Sequence, residues 1–530
     1  MKNAGTTTLA MAGALVLALT ACSGGGGTAG TSGKPVDGGT FTLAVAADPG
    51  TLDPHATTLS VAHQVGLFMY DSLVAVDPAG KEVSALADSW KSTSTTASYT
   101  LRKGITCSDG TPLTAKDVAD NINYAADPKA GSSMTGLYVP AGAKAKADDA
   151  ARTVTVTSPG PDAFLGRNVG TLPIVCRKGL TDRSILKQGG SGTGLFTLTE
   201  AVADDHYTFT RRKDYAWGPA GVKADTKGLP DTVVLKVVRN EATAANLLLA
   251  KQINAALITG QDKTRVESRL DFKRAMHAPL GELWFNQRRG AATADPEVRR
   301  ALTQALDLGQ LRKVITNGGG ELPAGMVAKG QGPCSEDTLA GTLPDHDRAT
   351  AEAALDNAGW TKGSDGVRQQ DGKKLALTFY YPTSRGAPMQ NAAELLRSFW
   401  QKAGVKVTLR GAADSQFDQV LSGQGSWDAM FMPLSVTLPT QAVPFVSGAT
   451  PPNGNNFGSI DNPQYDAHVK KASALVGAKG CREWAAAEKA LFQRADVVPF
   501  ADLATPVFGN GATFDLADGA IAPTSIRVVG

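Results

Sequence analysis

Residues 374–410, KLALTFYYPTSRGAPMQNAAELLRSFWQKAGVKVTLR, decide the fold class of this chain. Residues 374–381 and 405–410 have the apolar and β-branched composition of buried strands. Residues 389–403 between them place apolar side chains at helical spacing, and Gly404 ends that helix. A strand, a helix and a second strand in this order predict two parallel strands joined by a crossover, so the stretch indicates an α/β protein.

The same alternation of helix and strand continues on both sides of this stretch. Asp295 can cap a helix whose first residue is Pro296, a second helix is predicted over residues 349–358, and a further strand over residues 427–432. Such alternation predicts a mainly parallel sheet covered on both faces, with ligand sites beyond the carboxyl ends of its strands. We therefore expect the loops that follow Tyr381 and Met432 to contribute to a binding site.

The chain before residue 283 has a different pattern. It predicts strands over residues 40–46, 195–198, 207–211 and 232–238, and helices over residues 60–70 and 242–250. Between about residues 74 and 156, short β patterns accompany a helix that begins after Thr114, where Asp117 can complete a capping box. This block predicts a smaller α+β domain.

Length and composition exclude several classes of protein. A chain of 530 residues is too long for one compact domain, and 42% hydrophobic with 19% charged residues excludes a disordered or fibrous protein. Lys and Arg number 53 against 50 Asp and Glu, and no basic run stands out. We therefore expect no nucleic-acid partner.

The N-terminus predicts export and attachment to lipid. Lys2 precedes an apolar stretch over residues 9–21, which has the length of a signal-peptide core and is too short to span a bilayer. Residues 19–22, LTAC, resemble the lipobox of bacterial lipoproteins, in which the cysteine is acylated. The pattern predicts a signal peptide over residues 1–21, a lipid anchor on Cys22 and a flexible tether over residues 22–35.

This anchor would hold the protein at the extracytoplasmic face of the cell membrane. An ordinary secretory signal with an incidental cysteine is the alternative. Four further cysteines, Cys107, Cys176, Cys334 and Cys481, predict two disulfides in an exported protein, although the sequence allows three connectivities. Their separations lack the paired spacing of zinc sites, so metal ligation by these cysteines is disfavoured.

Signatures of catalysis and of cofactor binding are missing from the sequence. It contains no phosphate-binding G-x-x-x-x-G-K-[ST] loop, no H-E-x-x-H and no G-x-S-x-G, and the S-x-x-K at residues 184–187 lacks its S-D-N and K-T-G partners. We therefore expect no catalytic residue, no cofactor and no metal. The absence of these signatures favours a binding protein over an enzyme.

A series of motifs in chain order carries a family resemblance. They are GGTF (38–41), TLDP (51–54), YDSL (70–73), LADSW (86–90), YTLRKGI (99–105), SDGTPLTAKDV (108–118), GTG (192–194), LWFN (283–286), VRRAL (298–302), ALDNAGW (354–360), GVKV (404–407) and WDA (427–429). Each would be weak by itself. Together, from about residue 38 to residue 500, they resemble the family 5 extracellular solute-binding proteins, the peptide/nickel/opine-type receptors of ABC importers.

The resemblance implies a two-lobed periplasmic-binding-protein-like fold, of type II and cluster C-like, whose lobes close on ligand about a hinge. On this chain it places lobe I at residues 36–283 with a return at 499–530, an extra α+β subdomain within it at about 75–192, and lobe II at 284–498. A disulfide between lobes would obstruct closure. The resemblance therefore implies the pairs Cys107–Cys176 and Cys334–Cys481.

The resemblance also implies a monomer that binds a peptide or small molecule and presents it to an ABC permease in the membrane. The best-known peptide receptors resemble one another in an acidic residue shortly after the strand equivalent to residues 427–432, where it pairs with the peptide ammonium. In this chain residues 429–460 contain no charged side chain. A buried ammonium there would lack its partner, so either another loop supplies the acid or the solute is not a free-amine peptide.

The candidate ligand-binding residues follow the predicted strand ends and the matched motifs. They are Tyr70, Asp71, Trp284, Asn286, Tyr381, Ser384, Arg385, Trp427, Ser435, Thr437 and Asn456. Large aromatic residues are mostly buried, so a core role is an equally good interpretation of Trp284 and Trp427. Arg385 would meet a ligand carboxylate or else be a solvated surface residue.

Other functions remain open on the sequence. Phenylalanines and neutral hydrogen-bonding residues in 429–460 would also suit a sugar, a siderophore-like molecule or a modified peptide, or this loop merely packs. Some actinobacterial relatives of the family look like regulators of cell-envelope glycolipid synthesis, which makes a non-transport scaffold a second class. A secreted hydrolase is a third class, disfavoured by the missing catalytic signatures.

Overall fold

A computed structural model describes residues 33–329, 331–334 and 336–530. The predicted signal peptide over residues 1–21, the anchor Cys22 and most of the tether over residues 22–35 lie outside the described residues. Within the described ranges, no helix combines the length and the apolar character needed to cross a bilayer.

In the described part of the chain, eleven strands form one mixed sheet that runs through the molecule. From edge to edge its order is Lys406–Ala412, Ala376–Pro382, Ala429–Phe431, Lys273–Phe285, Val497–Gly509, Ala255–Leu257, Thr40–Val45, Thr232–Val237, His206–Arg211 and Phe196–Val202, with Gly320–Glu321 paired to Val497–Gly509. Residues 374–410 fold as predicted, because the helix Ala387–Lys402 joins two parallel strands. Gly404 follows that helix at φ +88°, a conformation that favours glycine.

The sheet is less parallel than the alternation of helix and strand predicts. Ala376–Pro382 is parallel to both Lys406–Ala412 and Ala429–Phe431, but Ala429–Phe431 pairs antiparallel with Lys273–Phe285. The difference arises in the middle of the sheet, where Lys273–Phe285 and Val497–Gly509 run antiparallel to each other. These two strands carry the chain out of one half of the molecule and back again.

Lys273–Phe285 and Val497–Gly509, here called the linking strands, each have 13 residues and belong to both halves of the sheet. The register between them shifts on both sides of Gly281. A Cβ atom at Gly281 would lie 2.6 Å from the ring of Phe500, so a side chain at this position would force the strands apart. The bulge therefore depends on glycine.

The large hydrophobic cores lie on either side of the linking strands, and a small cluster that includes Phe164 and Trp484 joins the two sides. Lobe I, as named here, is the part around the core that contains Phe41, Phe209 and the C-terminal Phe514. Lobe II is the part around the two cores that contain Trp400 and Trp427. The molecule is thus a two-lobed α/β protein. The predicted boundaries after residues 283 and 498 fall within the linking strands and stay predictions.

Lobe I carries a second, four-stranded antiparallel sheet in the order Ala87–Ser92, Thr96–Leu101, Thr153–Thr157 and Lys144–Asp148. The helix Ala115–Ala126 packs against it and begins with the predicted capping box, since the Thr114 hydroxyl accepts the Asp117 N–H at 3.1 Å and Asp117 accepts the Thr114 N–H at 3.0 Å. Side chains of this unit share one continuous core with Phe41, so the unit is packed into lobe I.

The remaining regular elements complete the two lobes. Lobe I contains the helices Ser60–Met69, Leu165–Gly170, Arg177–Thr181, Glu241–Leu249 and Lys263–Glu267. Lobe II contains Pro296–Gln304, Leu308–Ile315, Arg348–Asn357, Asp414–Gln419, Pro439–Val446, Pro463–Ser473 and Cys481–Gln493. The short strand pairs are Val74–Val76 with Glu82–Ser84, Ala512–Thr513 with Arg527–Val528, and Leu516–Ala517 with Ala520–Ile521; Thr361–Lys362, Arg368–Gln370 and Lys373–Lys374 form a small third sheet.

Both disulfide pairs implied by the family resemblance are confirmed. Cys107 is bonded to Cys176 within lobe I, and Cys334 is bonded to Cys481 within lobe II. Neither bond joins one lobe to the other, so neither restricts a movement of the lobes about the linking strands.

Candidate ligand-binding cleft

A cleft of about 810 Å³ lies between the two lobes. Residues 434–445 of lobe II line one side, and the other side comes from lobe I, including Thr58, residues 136–138 and Asp518. Clefts of this size are typical of sites for small molecules and short peptides. The cleft is therefore the principal candidate site.

The lobe II wall is held in place by hydrogen bonds to its backbone. It begins after the strand Ala429–Phe431, where the N–H of Leu434 donates to Glu282 at 2.7 Å. The Gln441 side-chain oxygen accepts the N–H groups of Thr437 at 2.8 Å and Leu438 at 3.1 Å at the start of the helix Pro439–Val446. Residues 434–445 carry no charge, so this wall offers hydroxyl, amide and apolar groups.

The Asp, Arg and His side chains that line the cleft all come from lobe I, and two of them, Asp162 and Arg167, already have partners there. Asp162 accepts the N–H of Phe164 at 2.8 Å and the side-chain amide of Asn168 at 3.1 Å. Arg167 donates to the carbonyl oxygen of Gly80 at 2.7 Å. These bonds fix both side chains within lobe I and reduce what they can offer a solute.

The other two, His63 and Asp518, lie close to each other on the lobe I side of the cleft. His63 lies on the helix Ser60–Met69, and Asp518 lies at the tip of the hairpin formed by Leu516–Ala517 and Ala520–Ile521. The His63 Nε2 atom is 3.9 Å from an Asp518 carboxylate oxygen. Asp518 has φ +49°, as expected in the tight turn of an Asp-Gly hairpin.

A second cavity of about 620 Å³ lies within lobe I and adjoins the cleft. It is here called the lobe-I cavity. His63, Val76, Thr171 and Asp518 line both spaces, so the two are adjacent. The predicted site residues Tyr70 and Asp71 line the lobe-I cavity.

Asp71 is a carboxyl group held by three donors. It accepts hydrogen bonds from the Trp217 indole at 2.9 Å and from the hydroxyl groups of Thr193 and Tyr215, each at 3.1 Å. Burial raises the pKa of the Asp71 carboxyl to about 6, although the three donors favour its ionised form. Tyr70 beside it donates to the carbonyl oxygen of Gly190 at 2.9 Å, and burial raises the pKa of its phenol.

Four of the predicted site residues line these two spaces. Ser435 and Thr437 lie on the lobe II wall of the cleft, and Tyr70 and Asp71 line the lobe-I cavity. The structure thus places these four residues around two adjacent spaces, which the sequence could not show.

The other predicted site residues lie elsewhere. Trp284 and Trp427 are buried in a lobe II core, and Tyr381 is buried in the other. Asn456 is buried and bonds to the backbone of Ile460, and Asn286 accepts the N–H of Arg288. Ser384 and Arg385 lie on an exposed turn after the strand Ala376–Pro382.

The sequence does not single out the lobe I residues of the cleft. Thr58 and His63 are close together in the chain, but Asp162 and Asp518 are about 100 and 450 residues further on, and the fold brings all four to one wall. One local signal was available, since Asp518 and Gly519 form the dipeptide typical of a tight hairpin. That signal predicts a turn and does not indicate a binding surface.

Glu282 lies behind the lobe II wall, on a linking strand. One of its oxygens accepts the Leu434 N–H at 2.7 Å and the Trp284 indole N–H at 3.4 Å. Burial raises the pKa of the Glu282 carboxyl to about 8. Among the described residues, no Lys or Arg forms an ion pair with it, and no group of three or more potential ligands could hold a metal ion.

Comparison with known protein families agrees with this geometry. The sequence profile described as "Bacterial extracellular solute-binding proteins, family 5 Middle" matches residues 81–457, which is more than half of the chain. Among curated proteins, Protein XP55 of Streptomyces lividans is 29% identical over 74% of this chain and 70% of its own length. The periplasmic murein peptide-binding protein MppA of Escherichia coli (strain K12) is 26% identical, with 85% of each chain covered.

A solved structure shows the same fold with a small ligand. The substrate-binding protein from Microbacterium hydrocarbonoxydans, complexed with 4-hydroxybenzoate hydrazide, is 25% identical with a TM-score of 0.67. The similarity covers 92% of this chain and 100% of that one.

Proposed function

The chain belongs to family 5 of the bacterial extracellular solute-binding proteins, whose members are receptors of ABC importers and not enzymes, and we propose that it is a lipid-anchored receptor of this kind. In this proposal it acts as a monomer at the extracytoplasmic face of the membrane. It binds oligopeptides or peptide-sized compounds between its lobes and delivers them to a permease.

The observation that carries the proposal is the cleft between the lobes, which is lined by residues of both lobes and lies beside the linking strands that join them. A solute that contacts both walls makes contacts in the closed state that are missing in the open state. Such a solute shifts the population towards closure by the difference in binding free energy between the two states. Closure would then be the signal that the permease reads.

The size of the site supports a peptide-sized solute. The cleft of about 810 Å³ and the adjoining cavity of about 620 Å³ together exceed what a single amino acid fills. The name of the MppA protein of Escherichia coli states that it binds a murein peptide. The proposed anchor rests on the signal peptide and Cys22, which the sequence predicts.

A specific observation favours a second candidate, a receptor for a solute that is not a free-amine peptide. The lobe II wall, residues 434–445, has no charged group that could pair with an ammonium. The relative from Microbacterium hydrocarbonoxydans was solved with an aromatic hydrazide. A modified peptide, a sugar or a siderophore-like molecule would fit this neutral wall, and a non-transport scaffold would need no solute.

Titration of the mature protein carrying Cys22→Ser tests the proposal. The protein would be mixed with pools of peptides, oligosaccharides and siderophores while tryptophan fluorescence and small-angle X-ray scattering are recorded. A receptor gives a saturable fluorescence change and a smaller radius of gyration with one pool. A peptide pool that acts alone supports the first candidate, another pool supports the second, and no response from any pool favours a scaffold.

A further inference from the structure

The lobe-I cavity is formed by residues of one lobe alone. It has a volume of about 620 Å³, which is within the range of pockets that bind small molecules. It lies between the helix Ser60–Met69, the hairpin of Val74–Val76 with Glu82–Ser84, and residues 513–527.

The side of the lobe-I cavity that borders the cleft is here called its mouth. His63, Val76, Thr171 and Asp518 line both spaces there. A solute at this border would contact both spaces.

The body of the lobe-I cavity is apolar. Side chains such as Val74, Val222, Phe514 and Pro523 line it, and Phe514 packs edge-on against Phe41 and Phe272, which fixes its position. A group bound here leaves water for an apolar environment, which favours hydrocarbon or aromatic groups.

The charges around the lobe-I cavity favour a cation. Four carboxylates line it, and the two arginines that also line it, Arg274 and Arg527, are engaged. Arg274 pairs with Asp515 at 3.0 Å, and Arg527 donates to the carbonyl oxygens of Thr524 and Ile526 at 2.9 and 2.7 Å.

Asp518 is the carboxylate with the most unused capacity. Asp71 and Asp77 accept hydrogen bonds from indole, hydroxyl or backbone N–H donors. In the described part of the chain, no donor forms a hydrogen bond with the Asp518 carboxylate, and its one ion-pair partner there is His63, at 3.9 Å. Asp518 stands at the mouth, opposite the uncharged lobe II wall.

On the basis of the receptor function proposed above, we infer that the lobe-I cavity is a second compartment of the ligand site and that Asp518 pairs with a cationic group at its mouth. The class of solute selected is an apolar body that carries an ammonium or guanidinium group. The apolar part fills the lobe-I cavity, the cation meets Asp518, and the remainder of the solute lies in the cleft. The counter-charge that lobe II lacks is thus supplied by lobe I.

Three probes of similar shape test this inference, with their affinities for the mature protein measured by calorimetric titration. They are 4-phenylbutylamine, 4-phenylbutan-1-ol and 4-phenylbutyrate, which differ in the charge of one end. We expect the amine to bind about tenfold more tightly than the alcohol and the acid to bind least, since only the amine pairs with Asp518. Equal affinities, or no binding of the amine, would overturn the inference.

Two variants separate the contribution of the charge from that of the cavity. Asparagine tolerates the left-handed backbone at position 518, so Asp518→Asn should leave the hairpin intact. This variant should lose the preference for the amine, while its affinity for the alcohol should stay unchanged. Ala522→Phe places a ring into the lining of the lobe-I cavity and should lower the affinities of both the amine and the alcohol. The controls are Asp345→Asn and Ala340→Phe, at exposed positions of lobe II, which should change neither.

The same variants distinguish this inference from the receptor function itself. If a pool closes the lobes in the scattering experiment while Asp518→Asn and Ala522→Phe leave its affinity unchanged, the second compartment is refuted and the receptor function stands. If the amine binds as expected but no pool closes the lobes, the compartment stands and the receptor function is contradicted.

Discussion

At the scale of single residues, Glu282 is a carboxyl group almost completely removed from water. Its side chain is 1% exposed, and it accepts the Leu434 N–H that positions the lobe II wall. Burial raises the pKa of the Glu282 carboxyl, and the nearby carboxyls of Asp502 and Glu488 raise it further. Glu282 thus positions the lobe II wall, and its contribution to the free energy of unfolding depends on pH.

We predict that Glu282 makes stability depend on pH. Its pKa rises from 4.5 in the unfolded chain to about 8 in the folded protein, so the folded state binds more protons between these values. The stability that it contributes is complete below pH 4.5 and is lost as pH rises through 8, by at most about 1.4 kcal/mol per pH unit. Glu282→Gln should flatten this dependence in urea unfolding.

The matched control for Glu282→Gln is Glu297→Gln, at an exposed position of a helix in lobe II. Unfolding would be measured at acidic, neutral and basic pH within the window above. The control should shift stability by the same small amount at each pH. If the free energy of unfolding of Glu282→Gln also shifts by the same amount at each pH, Glu282 is not the source of the pH dependence.

Arg299 and Asp496 form an ion pair with both side chains fully buried, and their N–O distance is 2.6 Å. Asn462 and Gln287 donate to the same carboxylate at 2.7 and 3.0 Å. Arg299→Met should lower the free energy of unfolding by about 3–5 kcal/mol, because it leaves a buried carboxylate without its counter-charge. The double variant with Asp496→Asn should recover part of the loss.

The matched control for the buried pair is Lys116→Met, which breaks the exposed pair of Lys116 with Asp120. Exposed pairs contribute about 0–1 kcal/mol, so this change should be small. Urea unfolding of all three variants provides the measurement. A loss as small as that of the control would show that the buried pair adds no more than a surface one.

At the scale of elements, the sequence predicted helices better than it predicted the linking strands. Helices begin where caps indicated, as at Thr114 and at Asp295, which accepts the Glu297 N–H at 2.9 Å. Residues 273–285, KRAMHAPLGELWF, contain charges, a proline and a glycine, and they do not alternate. Their burial is set by contacts with Val497–Gly509, more than 200 residues later, which no local pattern reveals.

The same limit applied to the site. The strand ends that predicted Ser435 and Thr437 are local features, and these residues do line the cleft. His63 and Asp518 come together only because the C-terminal hairpin packs on lobe I. The sequence therefore predicted part of one wall and left the other wall undetected.

The bulge in the linking strands gives a prediction at this scale. Gly281→Ala would place a Cβ atom 2.6 Å from the ring of Phe500 and 2.8 Å from the Cβ atom of Ala501. We expect a loss of about 1–3 kcal/mol in unfolding free energy, because the strands must separate to admit the methyl group. Thermal unfolding measures the effect.

Gly160→Ala is the control for this substitution, because a Cβ atom there has no neighbour within 4 Å. Its stability should stay close to that of the unmodified protein. If Gly281→Ala unfolds at the same temperature as this control, the close approach seen at the bulge does not limit the packing of the strands.

At the scale of the whole molecule, the lipid anchor predicted on Cys22 gives a prediction about where the protein is found in the cell. Cys22→Ser should move the protein from the membrane fraction to the soluble fraction of expressing cells and abolish incorporation of labelled palmitate. Ser23→Ala, one residue further on, should do neither. Membrane retention of the Cys22→Ser protein would refute the lipid anchor and favour an unrelated means of attachment.

Lobe I is built from both ends of the described chain. Residues 512–513 pair with residues 527–528, and Pro35 bridges to Val529, next to the last residue. The hairpin that carries Asp518 also lies within the final 20 residues. Lobe I therefore cannot be completed before residues 512–528 have been synthesised. A truncated product that stops before residue 512 would lack the hairpin of Asp518 and, with it, part of the lining of the cleft.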